Sequence, residues 1–176
     1  MTNEYARLIG MRSRAAGNYW EELIECSCAN YRVQGIAEIT KTPEPMRPLS
    51  KANEKGQFLA CFTKQAQPDY KGTLKGGRAV VFEAKHTDSD RMLRSVISEE
   101  QEKELNSHDK LGALCFVLVS FGLQQYFRIP WNVFRDMKEH FGRKYIKPED
   151  LKAYTIRYYN GYLDFLAPVL EERKND

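Results

Sequence analysis

The sequence predicts an α/β domain in which helices flank a mixed central sheet, and three observations carry that prediction. Val80 to Lys85 and Ala113 to Phe121 are short apolar runs of strand length. Asn18 to Tyr31 repeats its apolar residues at helical spacing. Tyr70 to Gly77 is a glycine-bearing reversal that joins two strand-like stretches. A chain of 176 residues with 42% hydrophobic and 29% charged residues suits a single domain, 1–176, with its own core.

Residues 1–16 form a basic N-terminal arm with Arg7, Arg12 and Arg14. The arm has no long apolar run ahead of a small-residue cleavage site, so it is not read as a secretory signal, and a cytoplasmic location is expected. No membrane span is expected either. The helix that follows places Trp20, Leu23, Ile24, Cys28 and Tyr31 on one stripe, with Gly17 and Asn18 as its start. Glu21 lies one residue off that stripe, at the rim where a buried helix meets solvent. From there it either reaches toward a metal site or serves as an ordinary first-turn glutamate favoured by the helix dipole.

Residues from about 46 to 66 read as an insertion: a long polar loop bounded by Pro43, Pro45 and Pro48 that carries Arg47, Lys51, Lys55 and Lys64. The segment after it holds the chemistry. Side chains two apart on a strand share a face, so Glu83 and Lys85 project together while Phe82 and Ala84 face the other way. The glycine reversal pairs the strand carrying Asp69 antiparallel to the one carrying Glu83, which brings the two acids together. Two converging carboxylates form a hard oxygen site suited to Mg²⁺, with Mn²⁺ as a substitute. A lysine two residues along is placed to stabilise charge that develops on a phosphate. The plainer alternative is a solvated strand face with a weak charge pair.

The remaining chain frames this centre. Leu93 to Ser107 reads as a polar helix, Gln125 to Ile129 as a strand, Trp131 to Phe141 as a helix behind Pro130, and Pro148 to Ala153 as a helical turn. Leu163 to Arg173 carries a short stripe of Leu163, Leu166, Val169 and Leu170, interrupted by Pro168. The four cysteines lack the paired spacing of a zinc site and read as structural thiols. His86, His108 and His140 are scattered, and His86 is expected on the face opposite Lys85.

The net charge of +3 is modest, so a claim for nucleic acid depends on where the cations lie. Arg12 and Arg14 in the arm, Lys51, Lys55 and Lys64 in the insertion, and Lys71 and Lys75 in the hairpin are the candidate phosphate contacts. For any single lysine, a solvated loop is the simpler alternative.

Pro68-Asp69, a gap, and Glu83-Ala84-Lys85 resemble the PD-(D/E)-x-K nuclease superfamily. The ordered series Gly17-Asn18-Tyr19-Trp20-Glu21-Glu22, Gly35 to Pro45, Asp69-Tyr70-Lys71-Gly72, Phe82 to Lys85, Gln101 and Cys115 to Val119 is similar to one branch, the RecU-type Holliday junction resolvases. That resemblance spans about Gly17 to Met137. It implies a restriction-endonuclease-like core in which the insertion is a projecting stalk. It also implies catalytic positions at Asp69, Glu83 and Lys85, with Asp69 and Glu83 on the metal, a helix-borne Glu21 assisting, and Gln101 on the helix after the catalytic strand. Pro68 stands where the branch usually has a hydroxyl residue, and Glu100 where it often has histidine. The stretch between Pro45 and Asp69 is shorter than in cellular members, as in a phage or prophage version.

The function implied is a Mg²⁺-dependent structure-selective endonuclease that resolves four-way junctions by paired nicks, leaving 5′-phosphate and 3′-hydroxyl ends. Its implied partners are junction DNA and a second copy of the chain, since a homodimer opposes two active sites. A recombinase or branch-migration protein is a further candidate partner. Two alternatives stay open: a restriction-like or repair nuclease acting on duplex DNA, and a non-catalytic junction-binding protein.

Overall fold

A computed structural model describes residues 3–62 and 67–167 and has the expected α/β architecture. Helix α1 (Asn3–Val33) leads into β1 (Ala37–Lys41), a ribbon of β2 (Met46–Pro48) and β3 (Ala60–Phe62), then β4 (Tyr70–Leu74) and β5 (Ala79–Thr87). After β6 (Met92–Leu93) and a 3-10 turn (Arg94–Val96) come α2 (Glu99–Lys110), β7 (Leu114–Phe121) and β8 (Gln125–Pro130). Helices α3 (Trp131–Arg135) and α4 (Met137–Phe141), strand β9 (Tyr145–Ile146), a 3-10 helix (Pro148–Tyr154), β10 (Tyr158–Tyr159) and β11 (Tyr162–Leu163) complete the chain.

The central sheet has five strands in the order β1-β4-β5-β7-β8. Only β5 and β7 run parallel; the other pairs are antiparallel. A parallel pair needs cover on both faces, which is why these two strands read as nearly continuous apolar runs. Alternation along them feeds two cores. Phe82 and Phe116 join Trp20, Ile24 and Tyr31 of α1 on one side, while Val81 and Val117 join Leu105, Trp131 and Phe134 on the other.

Register is pinned by an aromatic ladder across three strands. Tyr70 stacks on Phe82 at 4.9 Å between ring centroids, and Phe82 stacks on Phe116 at 4.6 Å. A slip of one residue would send these rings to the opposite face, so the ladder fixes which residues flank it. Gly72 permits the close approach of β1 to β4, because a Cβ there would collide with the Glu38 carbonyl oxygen. The β4–β5 reversal is tighter than expected. β4 continues to Leu74, and the turn is made by Lys75 to Arg78, with Gly76 and Gly77 at φ of 92° and 91°.

Several expected boundaries change. The first helix does not start at Gly17; it begins at Asn3, so the basic arm is the first half of one long helix. The polar helix begins at Glu99 rather than Leu93, because Ser98 and Gln101 form a capping box there. The single helix expected over 131–141 is broken at Asp136, whose φ and ψ of −96° and 36° leave the helical region. Leu163 closes a strand instead of opening a helix, and Val169 and Leu170 lie outside the described residues. The insertion contains the β2–β3 ribbon, and it is not simply polar: Met46, Leu49, Phe58, Leu59 and Phe62 are exposed on it.

Helix α1 is also tied to the C-terminal segment. The Tyr31 hydroxyl accepts from the Leu166 N–H at 3.0 Å, and the Ser27 hydroxyl accepts from the Leu163 N–H at 2.8 Å. Among the thiols, Cys28 and Cys115 are buried as expected of structural residues, but Cys26 is exposed.

Candidate active site

The predicted acids meet at one end of the β4–β5 hairpin. Tyr70 pairs with Phe82, so continuing that register by one residue sets Asp69 opposite Glu83. The Ala84 N–H donates to Asp69 Oδ2 at 2.9 Å, which fixes the carboxylate against β5. Lys85 Nζ lies 2.8 Å from Glu83 Oε2 and 3.6 Å from Asp69 Oδ2. The solvated-face alternative fails at Glu83, whose side chain is fully buried.

Gln101 completes the cluster from α2. Its backbone N–H donates to Ser98 Oγ at 3.2 Å, and its Oε1 accepts from the Ser98 N–H at 3.1 Å. With Oε1 committed to the cap, Nε2 is turned to Glu83 Oε2 at 2.5 Å. One carboxylate oxygen of Glu83 thus takes both Lys85 and Gln101, and the other, Oε1, is buried without a hydrogen-bond partner.

The electrostatics follow from this crowding. Burial, then the Asp69 charge, push the Glu83 carboxyl up to about 8 despite Lys85. Burial acts to lower Lys85, but Asp69 and Glu83 outweigh it and hold the ammonium above its ordinary range. Two carboxylates within interaction range, one with an orphaned buried oxygen, form a donor set that fits a small hard cation. Among the described residues no group of three or more His, Cys, Asp or Glu side chains is arranged around a common metal position. A two-carboxylate site of the Mg²⁺ type, completed by water and substrate phosphate, needs no such group.

Glu21 does not join this cluster directly. It pairs with Lys41 at 2.6 Å. The Lys41 ammonium is held above its ordinary range chiefly by that hydrogen bond, against the cost of burial, with weaker help from Glu25 and Asp69. Lys41 was not singled out in the sequence, although it sits at the end of β1 directly across from Tyr70. His86 faces away from Lys85 as expected, with Nδ1 3.2 Å from Ser120 Oγ.

The candidate DNA contacts are distributed around the domain. Arg12 and Arg14 are exposed on α1, Lys51 and Lys55 on the loop between β2 and β3, and Lys75 at the β4–β5 turn. Lys71 is half-buried and, by its pairing with Val81, shares the face of Glu83 and Lys85. Lys64 lies outside the described residues.

Fold and site together define an α/β protein whose central hairpin presents two acids and a lysine at one end of a mixed sheet, held by a glutamine from the next helix. The family model for Recombination protein U, RecU, matches residues 15–171, and the chain belongs to that family. A relative, the Holliday junction resolvase RecU of Bacillus pumilus (strain SAFR-032), is 32% identical over 130 residues. The match takes in 69% of this chain and 62% of the relative, so the chain spans less than two thirds of that protein's length. Among solved structures, the Archaeoglobus fulgidus Hjc, a Holliday junction resolvase from an archaeal hyperthermophile, aligns with a TM-score of 0.45 and 12% identity. That alignment covers 74% of this chain and 91% of Hjc. No helix among the described residues is long and apolar enough to cross a membrane.

Proposed function

We propose that the protein is a divalent-metal-dependent DNA endonuclease that resolves four-way junctions by paired nicks, acting as a homodimer. The observation that carries this reading is the convergence of Asp69, Glu83, Lys85 and Gln101 at the hairpin end, in a chain of the RecU family. Asp69 and the free Oε1 of Glu83 are the groups that would hold Mg²⁺. When bound, the metal supplies Lewis acidity and positive charge toward a phosphodiester.

The chain's own residues do the rest. Lys85, held between the two carboxylates, presents an ammonium where negative charge accumulates on the phosphate during attack. Gln101 and Lys85 both occupy Oε2 of Glu83, which leaves Oε1 without a hydrogen-bond partner and available as a ligand. The Ala84 N–H holds the Asp69 carboxylate in place. Lys41, itself within electrostatic reach of Asp69, keeps Glu21 ion-paired at the rim. Two such sites in opposition on a C₂ dimer match the two symmetric strands of a junction.

The test is incubation of the purified protein with a labelled mobile four-way junction and the matching linear duplex, in Mg²⁺ and in EDTA, beside Asp69→Asn. Symmetric metal-dependent nicking of the junction, lost in the variant, is the expected result. Equal cutting of both substrates would make it a general nuclease, and binding without cutting would reduce it to a junction binder.

A further inference from the structure

A charged surface lies outside the residues assigned so far. Strands β6 and β9 pair as a ribbon, with Met92 opposite Ile146 and Leu93 opposite Tyr145. Met92 and Ile146 are buried in the core, so alternation puts the exposed Arg91 and Leu93 and the half-buried Tyr145 and Lys147 on the other face of the ribbon, with the half-buried Arg143 just before β9. Both guanidiniums lie over the Tyr145 ring, Arg91 at 5.4 Å and Arg143 at 4.8 Å from its centroid. The ring attracts each cation while the cations repel each other.

The carboxylates nearby neutralise only part of the group. Asp150 takes Arg143 Nη2, the Phe141 carbonyl accepts from Nη1 at 3.2 Å, and Nε is buried, so this guanidinium is committed within the protein and fixes the ribbon's end. Asp90 reaches Lys147 only at 3.4 Å, with Asp90 well exposed and Lys147 partly so, a pair worth little in water. Arg94 is turned inward, to Glu102 at 2.6 Å and over Trp131, and is structural. Arg91 is exposed and has no carboxylate partner among the described residues; Lys144 is exposed on the rim of the same ribbon.

The ribbon is also fixed relative to the catalytic end. The Arg94 N–H donates to the Lys144 carbonyl at 3.0 Å, and the Arg94 side chain holds Glu102, the neighbour of Gln101 on α2. One helix therefore braces both the ribbon and Glu83.

We infer that the β6–β9 ribbon is a phosphodiester-binding surface, with Arg91 and Lys147 contacting the DNA backbone, Tyr145 presenting the Arg91 guanidinium fork, and Arg143 a fixed positive charge beside the ring. This rests on the nuclease reading above. The Arg91 guanidinium, packed on the ring and without a carboxylate partner among the described residues, keeps its edge donors free in a fixed fork, the geometry that phosphate oxygens match. Cations strung along a strand pair fit the successive phosphates of a backbone, and such contacts are indifferent to sequence.

The experiment measures the Kd of the protein for junction and for linear duplex across a series of KCl concentrations in EDTA, so that no cutting intervenes. Arg91→Ala combined with Lys147→Ala is compared with Arg91→Lys and with a control, Lys103→Ala combined with Lys110→Ala on α2. The ribbon double variant is expected to bind both DNAs about tenfold more weakly, with a log Kd against log salt slope shallower by about 2. Arg91→Lys should recover part of the loss, and the control should stay near wild type. A double variant with unchanged Kd and slope, or one no weaker than the control, overturns the inference while the nuclease reading stands. A wild-type protein that neither binds nor cuts either DNA overturns both. Acylation of Lys144 and Lys147 in wild type, read by mass spectrometry, needs no substitution: protection by bound DNA is expected, and undiminished labelling refutes the surface.

Discussion

Gln101 and Glu83 are joined by a side-chain hydrogen bond of 2.5 Å whose direction is set by a helix cap, since the Ser98 N–H holds the other end of the glutamine amide. The cap of α2 thus orients a catalytic acid in the proposed site.

Gln101→Ala should lower junction cleavage about 10- to 100-fold, the usual effect of removing a group that orients a metal ligand. Binding in EDTA should stay within about twofold. Single-turnover cleavage and anisotropy titration check the two halves, and equal losses in both would assign Gln101 to DNA binding instead.

Glu83 should destabilise the metal-free protein. Its carboxyl is pushed up to about 8, first by burial and then by Asp69, against about 4.3 in an unfolded chain. Between those values the folded state keeps a proton that the unfolded state has lost, so stability in EDTA should decline as pH rises through that window. Glu83→Gln should flatten the decline and add about 1 kcal/mol at neutral pH while abolishing cleavage. Urea unfolding at several pH values measures this, and a variant as pH-sensitive as wild type contradicts it.

Gly72→Ala should cost about 2–3 kcal/mol, because the added methyl meets the backbone of Glu38 and Ile39, which cannot rotate away. Thermal unfolding measures the loss. Wild-type stability would mean that β1 does not pack on β4 at this distance.

Thiol labelling should separate the four cysteines. Cys28 and Cys115 are buried, and burial pushes each thiol up to about 12, so both should resist alkylation until the chain unfolds. Cys26 is exposed and should react first. Timed alkylation followed by peptide mapping gives the order; early modification of Cys115 would place β7 nearer the surface than described.

Much of this was legible before any coordinates. The glycine-bearing reversal over Tyr70 to Gly77 and the alternation in Val80 to Lys85 place Asp69, Glu83 and Lys85 together, because turn chemistry and strand parity are local properties. What was missed depended on partners distant in sequence. Glu83 meets Gln101 of α2, and the start of α2 turns on the capping pair Ser98 and Gln101, which no hydrophobic periodicity marks. Gly17 and Asn18 looked like a helix beginning, yet neither interrupts the backbone ladder, and the Ala, Arg, Leu and Met residues before them favour continuation. The pairing of Glu21 with Lys41 joins a helix to an edge strand, which no periodicity reveals.

The length of α1 changes what its arginines can do. Its 31 residues span about 46 Å at 1.5 Å per residue, and the buried stripe from Trp20 to Tyr31 clamps only the second half. Arg12 and Arg14 are therefore carried on a lever whose fulcrum is the core itself, and their distance from Glu83 is set by helix geometry. A tethered arm would surrender conformational entropy each time it closed on DNA; a lever has surrendered it already, during folding. The same rigidity makes the helix a gauge, since a duplex engaging both Arg14 and the acids must bridge a separation the protein has fixed in advance.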